Sequence, residues 1–153
     1  MKITDVLNKE NIELLPSINS KKVLIDRLIE IASKSGKILN VEEVRKQVWQ
    51  REKLMSTGVG KGIALPHAKS NYISAETGSL IVLKQGVEYD SSDDKLVQIA
   101  LLLIGQESNF GNHLNLLGTI SRFLDNDYLR SSILEAETKT DILNLFKKLE
   151  GNS

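Results

Sequence analysis

The run from Val97 to Ile104, VQIALLLI, constrains the fold of this chain most strongly. It is far too short to span a bilayer, and it lies between a polar cluster that ends at Lys95 and a glycine, Gly105, as a buried strand would. A strand that is apolar on both faces needs cover on both faces. Two other short apolar segments, GIALP (62–66) and SLIVLK (79–84), have the same character. We therefore predict that the three segments are strands of one buried sheet.

Helical patterns surround these segments. From Ser20 to Ser35 apolar residues recur with a period near 3.6 residues, and Gly36 closes the pattern. A second amphipathic helix is predicted from Asn40, a capping residue, to about Met55. Beyond residue 112 the leucine and isoleucine spacing is again helical to residue 149. The helices therefore lie before, between and after the predicted strands.

This order of strands and helices predicts an α/β fold, a three-layer α/β sandwich in which a small mixed β-sheet is flanked by helices on both faces. A length of 153 residues fits one domain, and we expect residues 1–153 to form it. Between the last two apolar segments, residues 85–95 (QGVEYDSSDDK) are expected to form a turn, a short edge strand and a charged loop.

Composition excludes several classes of function. Lys plus Arg and Asp plus Glu both total 20, so the chain has no overall charge bias towards nucleic acid or an anionic membrane. With no cysteine it has no disulfide, thiolate metal site or nucleophilic thiol, and two histidines argue against a zinc site. No apolar signal region opens the chain, and we expect a soluble, cytoplasmic protein without a cofactor or metal.

The glycine-rich stretch from Thr57 to Gly62, TGVGKG, does not have the spacing of a nucleotide-binding loop. A P-loop requires GxxxxGK[ST] and the dinucleotide fingerprint requires GxGxxG, whereas Gly58, Gly60 and Gly62 are spaced GxGxG and precede a strand. Two interpretations remain open. The stretch is either a flexible turn or a loop that shapes a site.

His67 follows Pro66, which should end the GIALP strand because proline lacks an N–H group and has a fixed φ. Its imidazole is then expected at the end of the sheet, where ligand sites are common. A hydrogen-bonded structural histidine is the alternative. His113 begins the predicted helix HLNLLGTISRFL on its inward face. It is either a core histidine or part of an anion site, since a helix N-terminus offers free N–H groups.

Arg51 occupies a position where the second helix should be apolar, between Val48 and Met55 on one stripe. Such an arginine either extends its head into water or binds an anion. Residues 45–69 hold six basic side chains and one acidic side chain, whereas residues 85–110 hold five acidic and one basic. The balanced total therefore hides a basic patch near the glycines, which is either a solvated surface or part of a site.

Several motifs together resemble the enzyme IIA domain of the bacterial phosphoenolpyruvate-dependent sugar phosphotransferase system, fructose/mannitol class (type 2). They are the RE pair, the STG turn, GIALPHAK, GVEYDS before an apolar strand, and a second histidine 46 residues after the first, before a leucine-rich helix. The resemblance runs from about Ile3 to Leu149. The loop GQESNFGN differs from the family's more usual proline-containing version.

The resemblance implies a phosphotransferase with a phosphohistidine intermediate at His67, and a site also lined by His113 and Arg51. It further implies a phosphoryl-site loop made by Thr57 and the glycines 58, 60 and 62, which keeps the approach to His67 low. The implied donor is the histidine phosphocarrier protein HPr, and the implied acceptor is a cysteine of enzyme IIB, which serves a membrane enzyme IIC in sugar uptake. GVEYDS and GIALPHAK favour the fructose branch, and a regulatory, nitrogen-type enzyme IIA homologue is the alternative. A plain interaction module without phosphoryl chemistry is a third class that stays open.

Overall fold

The computed structural model describes residues 1–151 and contains one six-stranded mixed sheet. The strands are β1 (Ile12–Leu14), β2 (Gly58–Gly60), β3 (Ile63–Ala64), β4 (His67–Ser70), β5 (Thr77–Val87) and β6 (Val97–Gln106). Their order in the sheet is β1-β5-β6-β3-β2, with β4 also paired to β6. The two long strands, β5 and β6, are antiparallel, and β6 runs parallel to both β3 and β4.

Alternation along β6 explains the layers. The helices are α1 (Ile3–Val6), α2 (Lys21–Ser33), α3 (Val41–Leu54), α4 (Phe110–Leu124), α5 (Asp127–Glu135) and α6 (Lys139–Gly151). One set of β6 side chains, with Ile99 and Leu101, faces the core under α1, α4, α5 and α6. The other set, with Ala100 and Leu102, faces the core under α2 and α3. Helices cover both faces of a mixed sheet, which confirms the predicted three-layer α/β sandwich.

The two predicted N-terminal helices begin at side-chain caps. The Ser20 hydroxyl accepts from the Val23 N–H at 3.2 Å, and the side-chain Oδ1 of Asn40 accepts from the Glu43 N–H at 3.1 Å. Gly36 follows α2 with φ +75°, the left-handed conformation that glycine adopts most easily. These local signals confirm both helices to within two residues.

The separate edge strand expected in residues 85–95 is wrong. Strand β5 continues to Val87, which pairs with Val97, and the chain then leaves the sheet. Asp90 and Asp94 have φ values of 62° and 60°, which are incompatible with an extended strand. Within residues 1–151 no helix is long and apolar enough to cross a membrane.

Candidate functional site

His67 begins β4 at a break between two strand segments. We expected the strand to end at Pro66, but the chain returns to the sheet. Ile63 of β3 pairs with Ile99 of β6, and His67 of β4 pairs with Leu103 of β6. The Pro66 carbonyl still accepts from the Leu103 N–H at 3.1 Å, so proline interrupts the ladder without ending it. The predicted position at a sheet end is therefore wrong, and the break itself exposes the imidazole.

The two nitrogens of the His67 ring have different surroundings. Nδ1 lies 2.9 Å from the Leu65 carbonyl oxygen, and because a carbonyl only accepts, Nδ1 carries the hydrogen. Nε2 then carries a lone pair, and it has no hydrogen-bond partner within residues 1–151. Burial lowers the pKa of His67 below its ordinary value, and the nearby Arg51 charge lowers it further. The half-buried ring is therefore mainly neutral near pH 7, with a free lone pair on Nε2.

Arg51 lies in the last turn of α3, beside the buried stripe. The buried positions of this helix are Val44, Val48 and Glu52, while Met55 is 71% exposed. The buried stripe predicted through Arg51 to Met55 is therefore wrong in its last turn. The buried positions recur every fourth residue and end at the acidic side chain of Glu52. Arg51 Nη1 donates to the Met55 carbonyl at 2.9 Å, and the side chain lines the same pocket as His67.

His113 is 1% exposed and lies in the first turn of α4, which begins at Phe110, three residues before the predicted start. Its Nδ1 is 2.8 Å from Oε2 of the buried Glu76. The ring centroid lies 6.1 Å from that of His67 and 6.1 Å from that of Phe110. Gly105 in β6 makes room for the His113 ring, since a Cβ there would lie 2.3 Å from Nδ1.

One open pocket of about 500 Å³ brings together His67, His113 and Arg51. Lys69 also lines it, two residues after His67 and so on the same face of β4. The Lys69 Nζ lies 4.9 Å from the Phe110 ring centroid, within range of a cation–π contact. Alternation along a strand could have placed Lys69 beside His67, but the apolar pattern of GIALP stops at Pro66 and gives no sign that the strand resumes.

The four loop residues predicted for the site do not line this pocket. Gly58 to Gly60 form β2, and Gly60 and Gly62 have φ values of +99° and +78°. These positive values identify the stretch as a tight hairpin that requires glycine. Gly58 packs closely, since a Cβ there would lie 2.6 Å from the Ser91 hydroxyl. A role of the loop in the approach to His67 stays a prediction.

Thr57 belongs to a buried network behind Arg51. The Thr57 N–H and hydroxyl donate to the two carboxylate oxygens of Glu52 at 3.0 Å and 2.6 Å. Lys21 Nζ lies 3.0 Å from the same carboxylate, and the Tyr89 hydroxyl lies 3.0 Å from the Thr57 hydroxyl. This network fixes the end of α3 to the glycine hairpin. Within residues 1–151, no cluster of His, Asp and Glu side chains is arranged to hold a metal ion.

Residues 5–149 match the family model described as "Phosphoenolpyruvate-dependent sugar phosphotransferase system, EIIA 2". The chain belongs to this family. Enzyme IIA domains are phosphotransferases that act through a phosphohistidine intermediate, with HPr-type donors and enzyme IIB acceptors. The resemblance noted in the sequence is thereby confirmed.

Similar proteins fall into two groups. The fructose-specific EIIABC component of Bacillus subtilis is 30% identical over 97% of this chain, which spans only 23% of that protein's length. The fructose-specific EIIA component of Haloferax volcanii is 27% identical over 97% of this chain and 99% of its own. A nitrogen regulatory protein of Bradyrhizobium diazoefficiens is 34% identical over 81% of this chain and 80% of its own.

Among solved structures, the nitrogen regulatory protein IIA-Ntr of Neisseria meningitidis superposes with a TM-score of 0.88 at 26% identity. The match covers 94% of this chain and 98% of that one. Sequence and structure therefore both place the chain within the enzyme IIA family, and relatives of both a transport type and a regulatory type are similar to it.

Proposed function

We propose that this enzyme IIA, with residues 1–153 as one domain, accepts a phosphoryl group on Nε2 of His67 and passes it to a cysteine of a fructose-type enzyme IIB. The observation that carries the proposal is the fixed ring of His67. The Leu65 carbonyl holds Nδ1 at 2.9 Å, which directs the free lone pair of Nε2 into the pocket. A neutral imidazole with one free nitrogen is a competent nucleophile.

Two displacements at phosphorus make up the reaction. In loading, the Nε2 lone pair of His67 attacks the phosphorus of phospho-HPr, a new N–P bond forms, and the donor's N–P bond breaks with its electron pair returning to the donor nitrogen. In discharge, the enzyme IIB thiolate attacks the same phosphorus, an S–P bond forms, and the electron pair returns to Nε2. Each step needs in-line positioning and charge neutralisation more than covalent chemistry from the protein.

The other residues of the pocket supply that neutralisation. Arg51 uses Nη1 for the Met55 carbonyl, which leaves its remaining N–H groups for phosphoryl oxygens. His113 presents its ring 6.1 Å from that of His67, a separation that a phosphoryl group on Nε2 can bridge. The hairpin from Thr57 through the glycines 58, 60 and 62 has no bulky side chain except Val59 and Lys61, and we propose that it leaves the partner's approach open.

A regulatory role is the second candidate, and two observations favour it. The Bradyrhizobium relative is a nitrogen regulatory protein and is 34% identical, and the Neisseria structure with a TM-score of 0.88 is an IIA-Ntr protein. In such a role the phosphorylation state of His67 would control binding to another protein instead of supplying a sugar transporter. The pocket chemistry is the same in both candidates, so the acceptor has to be tested directly.

The first experiment tests the acceptor residue. The purified chain is incubated with labelled phosphoenolpyruvate, enzyme I and HPr, and the wild type is compared with His67→Ala and His113→Ala, the same substitution on either side of one pocket. We expect one acid-labile phosphate per wild-type chain and on His113→Ala, and none on His67→Ala. Loading of His67→Ala to the wild-type stoichiometry would overturn the assignment.

The second experiment separates transport from regulation. The loaded chain is mixed with a purified fructose-type enzyme IIB, and phosphocysteine formation is followed by rapid quench. Discharge on the timescale of loading supports the transport role, and we expect His113→Ala to slow it by roughly 10-fold, the rate effect of losing about 1.4 kcal/mol of charge stabilisation. Absence of discharge to every fructose-type enzyme IIB tested, with normal loading, would favour the regulatory role.

A further inference from the structure

Glu76, immediately before β5, is a buried carboxylate whose side chain bonds to His113. It is 5% exposed, and its Oε2 lies 2.8 Å from Nδ1 of His113. No other hydrogen bond or ion pair of this carboxylate occurs within residues 1–151, although the Glu76 backbone carbonyl lies 3.5 Å from Lys37 Nζ. A carboxylate buried this deeply is costly unless a cation or a strong donor faces it. The pair therefore needs a proton on Nδ1 and gains from a positive ring.

The pair also determines what His113 presents to the pocket. Because Nδ1–H donates to the carboxylate, Nε2 lies on the far side of the ring, and the ring lines the cavity that contains His67. Nε2 can contact a phosphoryl oxygen favourably only as an N–H donor, because a lone pair would repel the oxygen. A proton on Nε2 makes the ring an imidazolium.

We propose that Glu76 is a positioning residue that enables His113 to hold protons on both nitrogens while His67 carries the phosphoryl group. This inference rests on the proposed function. When the phosphoryl group arrives, His113 Nε2 takes one proton from solvent and donates it in a hydrogen bond to a phosphoryl oxygen. When the phosphorus leaves for the acceptor, that proton returns to solvent. Through Glu76, the charge of His113 is thereby coupled to the phosphorylation of His67.

Charges around the ring make the role of Glu76 necessary. Cationic Arg51 and Lys69 line the pocket and disfavour a positive charge on the His113 ring. The exposed Glu107 at the rim offsets their charges only weakly, because solvent screens it. The bound phosphoryl group faces His113 from one side and Glu76 touches it from the other, so the imidazolium lies between two anions. The Phe110 ring, stacked at 23° to His113, keeps water from part of this arrangement.

The test is nitrogen NMR on protein labelled with ¹⁵N in its two histidine side chains. Phosphoramidate, a chemical phosphoryl donor, loads the chain at pH 7.5 without any partner protein, and the loaded residue is identified by its N–P coupling. In the wild type we expect loading to move both His113 nitrogens to the shifts of a doubly protonated ring. In Glu76→Gln, which keeps an acceptor of the same shape but removes the charge, we expect His113 in the loaded protein to keep an unprotonated Nε2.

Glu107→Gln is the matched control, since it removes the same charge from the pocket rim without contacting His113. We expect it to show the wild-type signature, and we expect discharge to enzyme IIB to slow about 10-fold in Glu76→Gln only. Wild-type His113 with one proton after His67 is loaded would overturn this inference alone, as would a doubly protonated ring in loaded Glu76→Gln. Should Glu76→Gln fail to fold, the wild-type signature still decides. Phosphate found on neither histidine would instead count against the proposed function.

Discussion

We expect that one methyl group added at Gly105 of β6, as in Gly105→Ala, disables the site. A Cβ at this position would lie 2.3 Å from Nδ1, 2.4 Å from Cγ and 2.6 Å from Cβ of His113. These atoms lie at the base of the ring, so no rotation about the side-chain bonds of His113 relieves the overlap. In Gly105→Ala the first turn of α4 has to shift, and the hydrogen bond between His113 and Glu76 breaks.

The magnitude follows from the two costs. A hydrogen bond that involves a charged group contributes about 1.5–3 kcal/mol, and overpacking a core costs about 1–3 kcal/mol. We therefore expect Gly105→Ala to lower the free energy of unfolding by roughly 2.5–6 kcal/mol. For a chain of this size that corresponds to a fall in Tm on the order of 5–25 °C. Discharge of phosphoryl groups to enzyme IIB should slow at least as much as in His113→Ala.

Thermal unfolding followed by circular dichroism, with rapid-quench transfer on the same samples, measures both effects. Gly118→Ala is the matched control, because it lies in the middle of α4 and its added Cβ would meet only Arg122 Nη1, at 3.9 Å. There alanine should stabilise the helix by about 0.5–1 kcal/mol. A Gly105→Ala protein with wild-type Tm and wild-type discharge would refute the reasoning, since the methyl group would then have been accommodated without moving His113.

Two further predictions concern the other groups of the pocket. Arg51→Met should leave Tm within about 2 °C, because the substitution removes only an exposed hydrogen bond to the Met55 carbonyl. It should slow phosphoryl transfer by roughly 10-fold or more, and Arg51→Lys should be intermediate. Normal transfer rates for Arg51→Met in rapid-quench measurements would mean that the arginine is structural. For His67, burial and the Arg51 charge lower the pKa below its ordinary value of about 6.5. Because only the neutral ring has the lone pair, loading rates should fall as the pH passes down through the lowered pKa, with a midpoint below about pH 6.5; a midpoint above that pH would contradict this.

Local signals in the sequence were sufficient for most of the architecture. The apolar residues 97–104 form a strand with helices on both faces, and Ser20 and Asn40 cap the two helices that they were expected to begin. Each of these features depends on residues within a few positions of one another. The short strands β1, β2 and β4 were not predicted, because three or four residues give no periodicity to recognise and their pairing depends on distant partners.

The site also contains residues that local sequence motifs indicate and residues that depend on tertiary contacts, and two buried glutamates belong to the second group. The two pocket histidines lie in recognisable local motifs: His67 follows a short apolar strand and His113 precedes a leucine-rich helix. The buried glutamates do not, since Glu76 is 37 residues from His113 in sequence and Glu52 pairs with Lys21 from another helix. Burial of a carboxylate is tolerated only where the fold brings a partner to it, so its position depends on tertiary contacts and not on local pattern. Glu76 stands just before a long apolar strand, and no local pattern marks it as buried. A core histidine could be satisfied by a neutral acceptor at lower cost, so the burial of a carboxylate against His113 is the observation on which the proposed role of Glu76 rests.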